Sequence, residues 1–138
     1  MTVHTDTIER QANPGTDIFD ITDDVRDAVA RAGVDAGVAT LFVPGSTGAL
    51  TTVEYEPGLV HDVTAFFDRI IPVDMDYGHE RMWHDGNGHS HVRASLLGPS
   101  LSIPIIDGAL TLGTWQQIIL IDFDNKSRTR KTIVQIVS

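Results

Sequence analysis

The chain has no cysteine, only two lysines and four glutamates, and no apolar run long enough to span a membrane. Each shortage excludes something. Without cysteine there is no disulfide framework, no thiolate metal site and no cysteine nucleophile. Any metal must then be held by histidine or carboxylate. Apolar stretches fall short of the roughly 18 residues of a spanning helix. The opening residues carry no basic-then-apolar leader pattern, so the reading is a soluble, cytoplasmic protein without a membrane partner. Dinucleotide and Walker glycine patterns are missing, and so is a nucleophile elbow.

What the chain does hold is acid. Fifteen Asp and four Glu face eight Arg and two Lys, for a net charge of −9. A general nucleic-acid binder needs a basic footprint, so no nucleic-acid partner is expected. Short, hydrated carboxylates with few lysines suit solubility in high salt. A halophilic origin is one reading of this balance, and a GC-rich genome that favours Arg over Lys is the other. The charge is uneven: residues 1–92 hold sixteen acids and five bases, residues 93–138 three acids and five bases. An anionic ligand is better received by the second segment.

The 138 residues read as one domain, 1–138, long enough to bury about two-thirds of the unfolded surface. Residues 2–11 alternate as an edge strand, and Asn13-Pro14-Gly15 marks a turn. Ile21, Val25, Ala28, Val29 and Ala32 recur at helical spacing, with Asp20 or Thr22 as cap and Gly33 as stop. Residues 37–43 read as a buried strand and the stretch after Gly48 as another. Leu59, Val63, Phe66, Phe67 and Ile70 mark a second helix, stopped at Pro72. Residues 73–88 read as irregular. From Ser90 onward five strand-like segments follow: SHVRASLL, SLSIPII, GALTL, TWQQIILIDF and RKTIVQIV. The class is therefore α+β. IILI and TIVQIV are apolar on both faces, which suggests subunit contacts.

Four of the six histidines fall within thirteen residues: His79, His84, His89 and His91. On an extended strand an H-x-H pair puts both rings on one face, so His89 and His91 are candidate ligands. His79 or His84 closes the set, with Asp85 as oxygen ligand or orienting partner. Nitrogen-rich ligation without sulfur suits zinc first, then nickel, copper or iron. The plainer reading is a polar loop with rings packed on Trp83. Pro44-Gly45-Ser46-Thr47-Gly48 can cradle phosphate with backbone N–H groups and the Ser46 and Thr47 hydroxyls, or can be an ordinary connection. Glu54 is the one carboxylate beside that strand pair apart from Glu56. Trp115 is either core or the wall of a ring pocket. Arg128 and Arg130 supply paired donors for phosphate. Asp124 to Ser127 reads as a turn without chemistry of its own.

The run YGHERMWHDGNGHSHVRASLLGPSLSIPIIDGALTLGTWQQIILIDFD, with FVPGSTGALTTVEYEPGLV upstream, resembles the YjbQ family, also described as secondary thiamine-phosphate synthase enzymes. The resemblance rests on Asp85, Asn87 and His91 in D-x-N-x-x-x-H, on Gly98, Ser100 and Pro104 in G-x-S-x-x-x-P, and on Leu112 to Gln116 in L-G-T-W-Q. It implies a YjbQ-like α+β domain with a sandwich-like, mixed or antiparallel sheet and two main helices, assembled as a homotrimer with its site near a subunit boundary. His79, His91, Asp85 and Glu54 fall on the family's recurrent histidines and acids, and Arg128 on its arginine. Many members carry a histidine just before two hydroxyl residues. Gly45 stands there instead, in a Gly-Ser-Thr branch.

The resemblance implies an enzyme that joins a pyrimidine diphosphate to a thiazole phosphate and releases pyrophosphate. In that reading Ser46, Thr47, Asn87, Arg128 and Arg130 hold a small phosphorylated substrate and Trp115 walls its ring. Glu54, Asp85 and His79 handle protons, while His79, His89 and His91 hold a divalent metal. Two alternatives stand beside it. One is a metal- or small-ligand-binding trimer without turnover, the other a metal-assisted hydrolase of a phosphorylated substrate with Glu54 or Asp85 as base.

Overall fold

A computed structural model describes all 138 residues. The alternating N-terminal stretch forms β1 (Val3–Ala12), followed by the short β2 (Asp17–Asp20). α1 (Thr22–Ala32) begins where Asp20 Oδ1 accepts from the Thr22 amide at 3.0 Å and from its hydroxyl at 2.6 Å. It ends at Gly33, whose φ of 63° favours a residue without Cβ. β3 (Gly37–Phe42) and β4 (Gly48–Val53) follow, then α2 (Pro57–Ile70). Glu56 starts α2 by accepting the Gly58 and Leu59 amides ahead of a first-turn proline.

Two helices then stand where the sequence reads as loop and strand: α3 (Gly78–Trp83) and α4 (Gly88–Leu97). SHVRASLL is therefore a correction, from strand to helix. Beside Gly88 at its start, the helix buries His89, Ser90, Arg93 and Ala94, which recur at helical spacing. Three of the four are polar, so the stripe is invisible to hydropathy. β5 (Ser100–Ile106), β6 (Ala109–Leu110), β7 (Gln117–Asp122) and β8 (Arg128–Val137) complete the chain.

Every strand pair is antiparallel. Five strands form one sheet in the order β1-β8-β3-β5-β6, and three form a second in the order β2-β7-β4. The main core lies between the sheets and α1, and includes Val25, Val29, Leu41, Leu50, Ile118, Leu120, Val134 and Ile136. A second core lies on the far face of the small sheet, where Ala49, Ile119 and Ile121 meet Phe67, Ile71, Ala94 and Phe123. β7 is thus covered on both faces within one chain, which accounts for IILI without a partner subunit. β8 alternates, with Thr132, Val134 and Ile136 inward and Lys131, Ile133 and Gln135 outward.

Arg93 ties the helical layer together. Its guanidinium is buried, donates to the Ile71 carbonyl from Nε at 2.9 Å and Nη2 at 2.7 Å, and lies near the Phe67 and Phe123 rings. It thereby satisfies a carbonyl left open at the end of α2. No helix is long and apolar enough to cross a membrane.

Candidate functional site

Two connections cross between the sheets at the same end. Residues 43–47 carry the chain from β3 in the large sheet to β4 in the small one, and residues 123–127 return it from β7 to β8. Gly48 pairs with Asp122 in the small sheet, which brings the two connections side by side. The N-terminal turns of α4 close the third side. Together they bound a cleft of about 400 Å³ with no hydrophobic residue in its lining.

Behind the cleft runs a chain of buried charges. Asp122, fully buried, accepts from Arg130 Nε at 2.5 Å. Arg130 Nη2 donates to the Thr47 hydroxyl, which donates to Asp124 Oδ2 at 2.8 Å. Arg128 Nε lies 3.1 Å from that same oxygen, and the Lys126 amide donates to Asp124 Oδ1 at 2.9 Å. Burial alone raises the Asp124 carboxyl. The Thr47 hydroxyl, the Lys126 amide, Asn87 and Arg128 outweigh it and bring the group down to about 2. Asp122 is pushed up by its burial, with Arg130 opposing. The turn read as chemically inert is therefore a correction, since Asp124 is the hub that holds Thr47 and Arg128 in place.

Both arginines keep donors for a ligand. Arg130 Nη1 faces Gly45, where an added Cβ would lie 2.8 Å from it, and Gly45 has a φ of +116°. A histidine at this position would need a different backbone and a displaced Arg130, so glycine here goes with the buried arginine. The amides of Gly45, Ser46 and Thr47 have no acceptor within the protein, and all three residues line the cleft. Unpaired N–H groups in a glycine turn are the donors an anion uses. Asn87 also lines the cleft, but its carbonyl is spent on the Asn125 amide at 3.2 Å and on the Ser90 hydroxyl.

The histidines separate. His89 and His91 lie two apart on a helix, about 200° around its axis, so the one-face argument for an H-x-H strand does not apply. His91 lines the cleft. His89 is 3% exposed, with Nε2 3.2 Å from the Ser90 hydroxyl and Nδ1 buried without a partner. Burial, then Arg93, hold its imidazole below the usual range. His84 is the exposed left-handed cap of α3, with φ 53°.

His79, on α3, stands with its ring centroid 4.4 Å from that of His91. Its Nδ1 lies 3.3 Å from Asp85 Oδ1 and 3.7 Å from Glu80 Oε1. Ligand atoms of these three residues fall within 4.8 Å of one another. Donors about 2.0–2.1 Å from a tetrahedral ion stand ~3.3 Å apart, which matches the His79–Asp85 distance and is shorter than the 3.7 Å from His79 to Glu80. The residues whose ligand atoms gather here are His79, Glu80 and Asp85, not the expected His79, His89 and His91. Glu80 was not singled out in the sequence. Its oxygens each accept a loop amide, from Gly86 and Gly88 at 2.6 Å, and this, the Gly88 bond foremost, keeps the carboxyl below its usual range.

Two expected residues lie elsewhere. Glu54 is exposed just past the end of β4, and Trp115 is 74% exposed just before β7. Val53 pairs with Gln117, so both sit at the far end of the small sheet. Six residues of strand from Gly48 place Glu54 about 20 Å from the cleft. Within one chain, then, Glu54 is no base for this cleft and Trp115 no wall of it.

Residues 6–138 match the family described as UPF0047 protein YjbQ-like. A UPF0047 protein of Archaeoglobus fulgidus is 39% identical over 86% of this chain and 90% of its own. One from Methanothermobacter thermautotrophicus is 34% identical over 94% and 90%. The crystal structure of a Sulfolobus solfataricus protein, described as YbjQ-like and of unknown function, superposes with a TM-score of 0.92 at 30% identity, covering 98% of this chain and 96% of that one. A Clostridium acetobutylicum member gives 0.86 at 36% identity over 95% and 98%. Matched along nearly its whole length in sequence and in fold, the chain belongs to the YjbQ/UPF0047 family.

Proposed function

We propose that the cleft binds the phosphate of a small phosphorylated substrate and that the protein is an enzyme acting on it. One observation carries the reading: the unpaired amides of Gly45, Ser46 and Thr47 share a cleft with Arg128 and Arg130. The finer reading is a thiamine-phosphate synthase-like transferase. There the thiazole nitrogen forms a bond to the pyrimidine methylene carbon as the C–O bond to pyrophosphate breaks, and the leaving oxygen takes the electron pair. The chemistry asks for fixed donors around a departing anion, and the amides and arginines are of that kind. Asp85 Oδ1 lies 3.3 Å from His79 Nδ1 without a hydrogen bond to it, which leaves that nitrogen free to hold or pass a proton beside the cleft.

A divalent ion between His79, Glu80 and Asp85 is a second reading, favoured by the spacing of their ligand atoms. It would add positive charge next to the leaving group. Subunits of a homotrimer would associate across the outward face of the large sheet. Val38, Phe42, Ile106 and Ile133 are exposed there beside Thr5, Thr7, Thr40 and Gln135, with Glu9 and Lys131 as a charged pair on the same face. A monomer by sedimentation removes that part.

The test is product formation from the two precursors, with and without added divalent metal, at several salt concentrations. The wild type is expected to form product and His79→Ala to form none. Wild-type product no greater than that of His79→Ala under every condition contradicts the synthase reading. Elemental analysis of purified protein decides the metal: no bound ion and no uptake removes it.

A further inference from the structure

The phosphate reading can be deepened, because the polar cleft is only half of what loop 44–48 and α4 enclose. A second cavity of about 370 Å³ adjoins it, and Gly45, Ser46 and His91 line both. The walls differ in kind. The first cleft presents mainly polar atoms, with both arginines among its residues. The second presents mainly carbon, from Gly48, Ala94, Ser95 and Pro99 beside the shared residues, and holds no arginine, lysine or carboxylate.

From this contrast we infer that the substrate is bipartite, a phosphate ester with an uncharged, ring-sized body. The anionic head lies in the polar cleft and the body in the carbon-walled cavity, joined past Gly45, Ser46 and the His91 ring. This rests on the phosphate reading above. Inorganic phosphate alone would leave the second cavity to water. A ligand charged at both ends would place an unpaired charge against carbon, which is costly. Gly45 is suited to the junction, since it adds no Cβ to the passage and its φ of +116° disfavours any side chain.

Calorimetric titration with two probes, inorganic phosphate and phenyl phosphate, tests the inference. Phenyl phosphate is expected to bind about tenfold more tightly. Tenfold is ~1.4 kcal/mol, which burial of roughly 55 Å² of apolar surface supplies. Ser95 is exposed on α4 and outside both cores, so Ser95→Phe fills the second cavity without disturbing them. That variant is expected to bring phenyl phosphate down to the affinity of inorganic phosphate, which itself stays within about twofold of wild type. Equal wild-type affinities, or an advantage that survives Ser95→Phe, overturn the bipartite substrate alone. If neither probe binds, the phosphate reading fails and takes this inference with it.

Discussion

Arg130→Met is expected to destabilise the fold by about 3–5 kcal/mol in urea unfolding, because it strands a buried charge. Asp122 is fully buried and its one charged hydrogen-bond partner is Arg130 Nε. Its other oxygen, Oδ2, has no partner at all. Removing the guanidinium leaves a carboxylate that must stay ionised in a dry site or take up a proton. The same change withdraws the donor to Thr47, and so loosens the hydroxyl that links the two crossing connections. The double variant Arg130→Met/Asp122→Leu separates the two effects. With both charges gone the desolvation cost goes too, so the double variant is expected to recover a large part of the loss. A double variant no more stable than the single one contradicts this assignment.

Acid is expected to weaken the protein in two steps. The first belongs to His89, held below its ordinary value by burial and by Arg93. As pH falls below about 6.5 the unfolded chain takes up the proton before the folded one. Stability present in full above that value then erodes. The second step belongs to Asp124, whose folded value of about 2 lies below its ordinary 3.8. Its stabilisation is complete above 3.8 and is lost as pH falls towards 2. The difference is about 2 kcal/mol. Asp122, pushed up by burial, works in the opposite sense, since its protonation favours the folded state. Unfolding free energies measured from pH 7 to pH 2 on wild type and Asp124→Asn check the second step. The variant is expected to be about 2 kcal/mol less stable at pH 7 and nearly level with wild type at pH 2. A constant gap across the range contradicts the role given to Asp124.

α1 and β3 were legible because their buried faces are apolar and so recur at a visible period, and α2 by its apolar spacing, although Phe67 alone of that stripe is buried. α4 was not, since the residues it buries are histidine, serine and arginine, whose burial depends on partners contributed by α2 and the β7–β8 connection. The strand reading of Ser90 to Leu97 then carried its own error forward. It aligned His89 with His91, and the helix turns them apart. Arg128 and Arg130 were singled out correctly as neighbours, and the cleft lies against both. Their acids were overlooked. Asp122 closes β7, Asp124 lies two residues on in the connection, and Arg128 and Arg130 open β8. β7 and β8 lie in different sheets, so it is the crossing connection and not strand pairing that brings these charges together. Glu54 and Trp115 were drawn to the site by their place in the sequence and by the resemblance together. Strand length decides against them within one chain, because a six-residue strand separates its ends by about 20 Å.

The central claim is that loop 44–48 and the two arginines form an anion site. Arg128 is the half-exposed arginine, and its loss leaves Asp124 with the Thr47 hydroxyl and the Lys126 amide. Calorimetric titration of wild type and Arg128→Ala with pyrophosphate at one fixed salt concentration tests the claim most directly. Saturable binding by the wild type, weakened at least tenfold in Arg128→Ala, is the predicted result, since a hydrogen bond to a charged group contributes about 1.5–3 kcal/mol. No saturable binding, or equal binding by the two proteins, would contradict it.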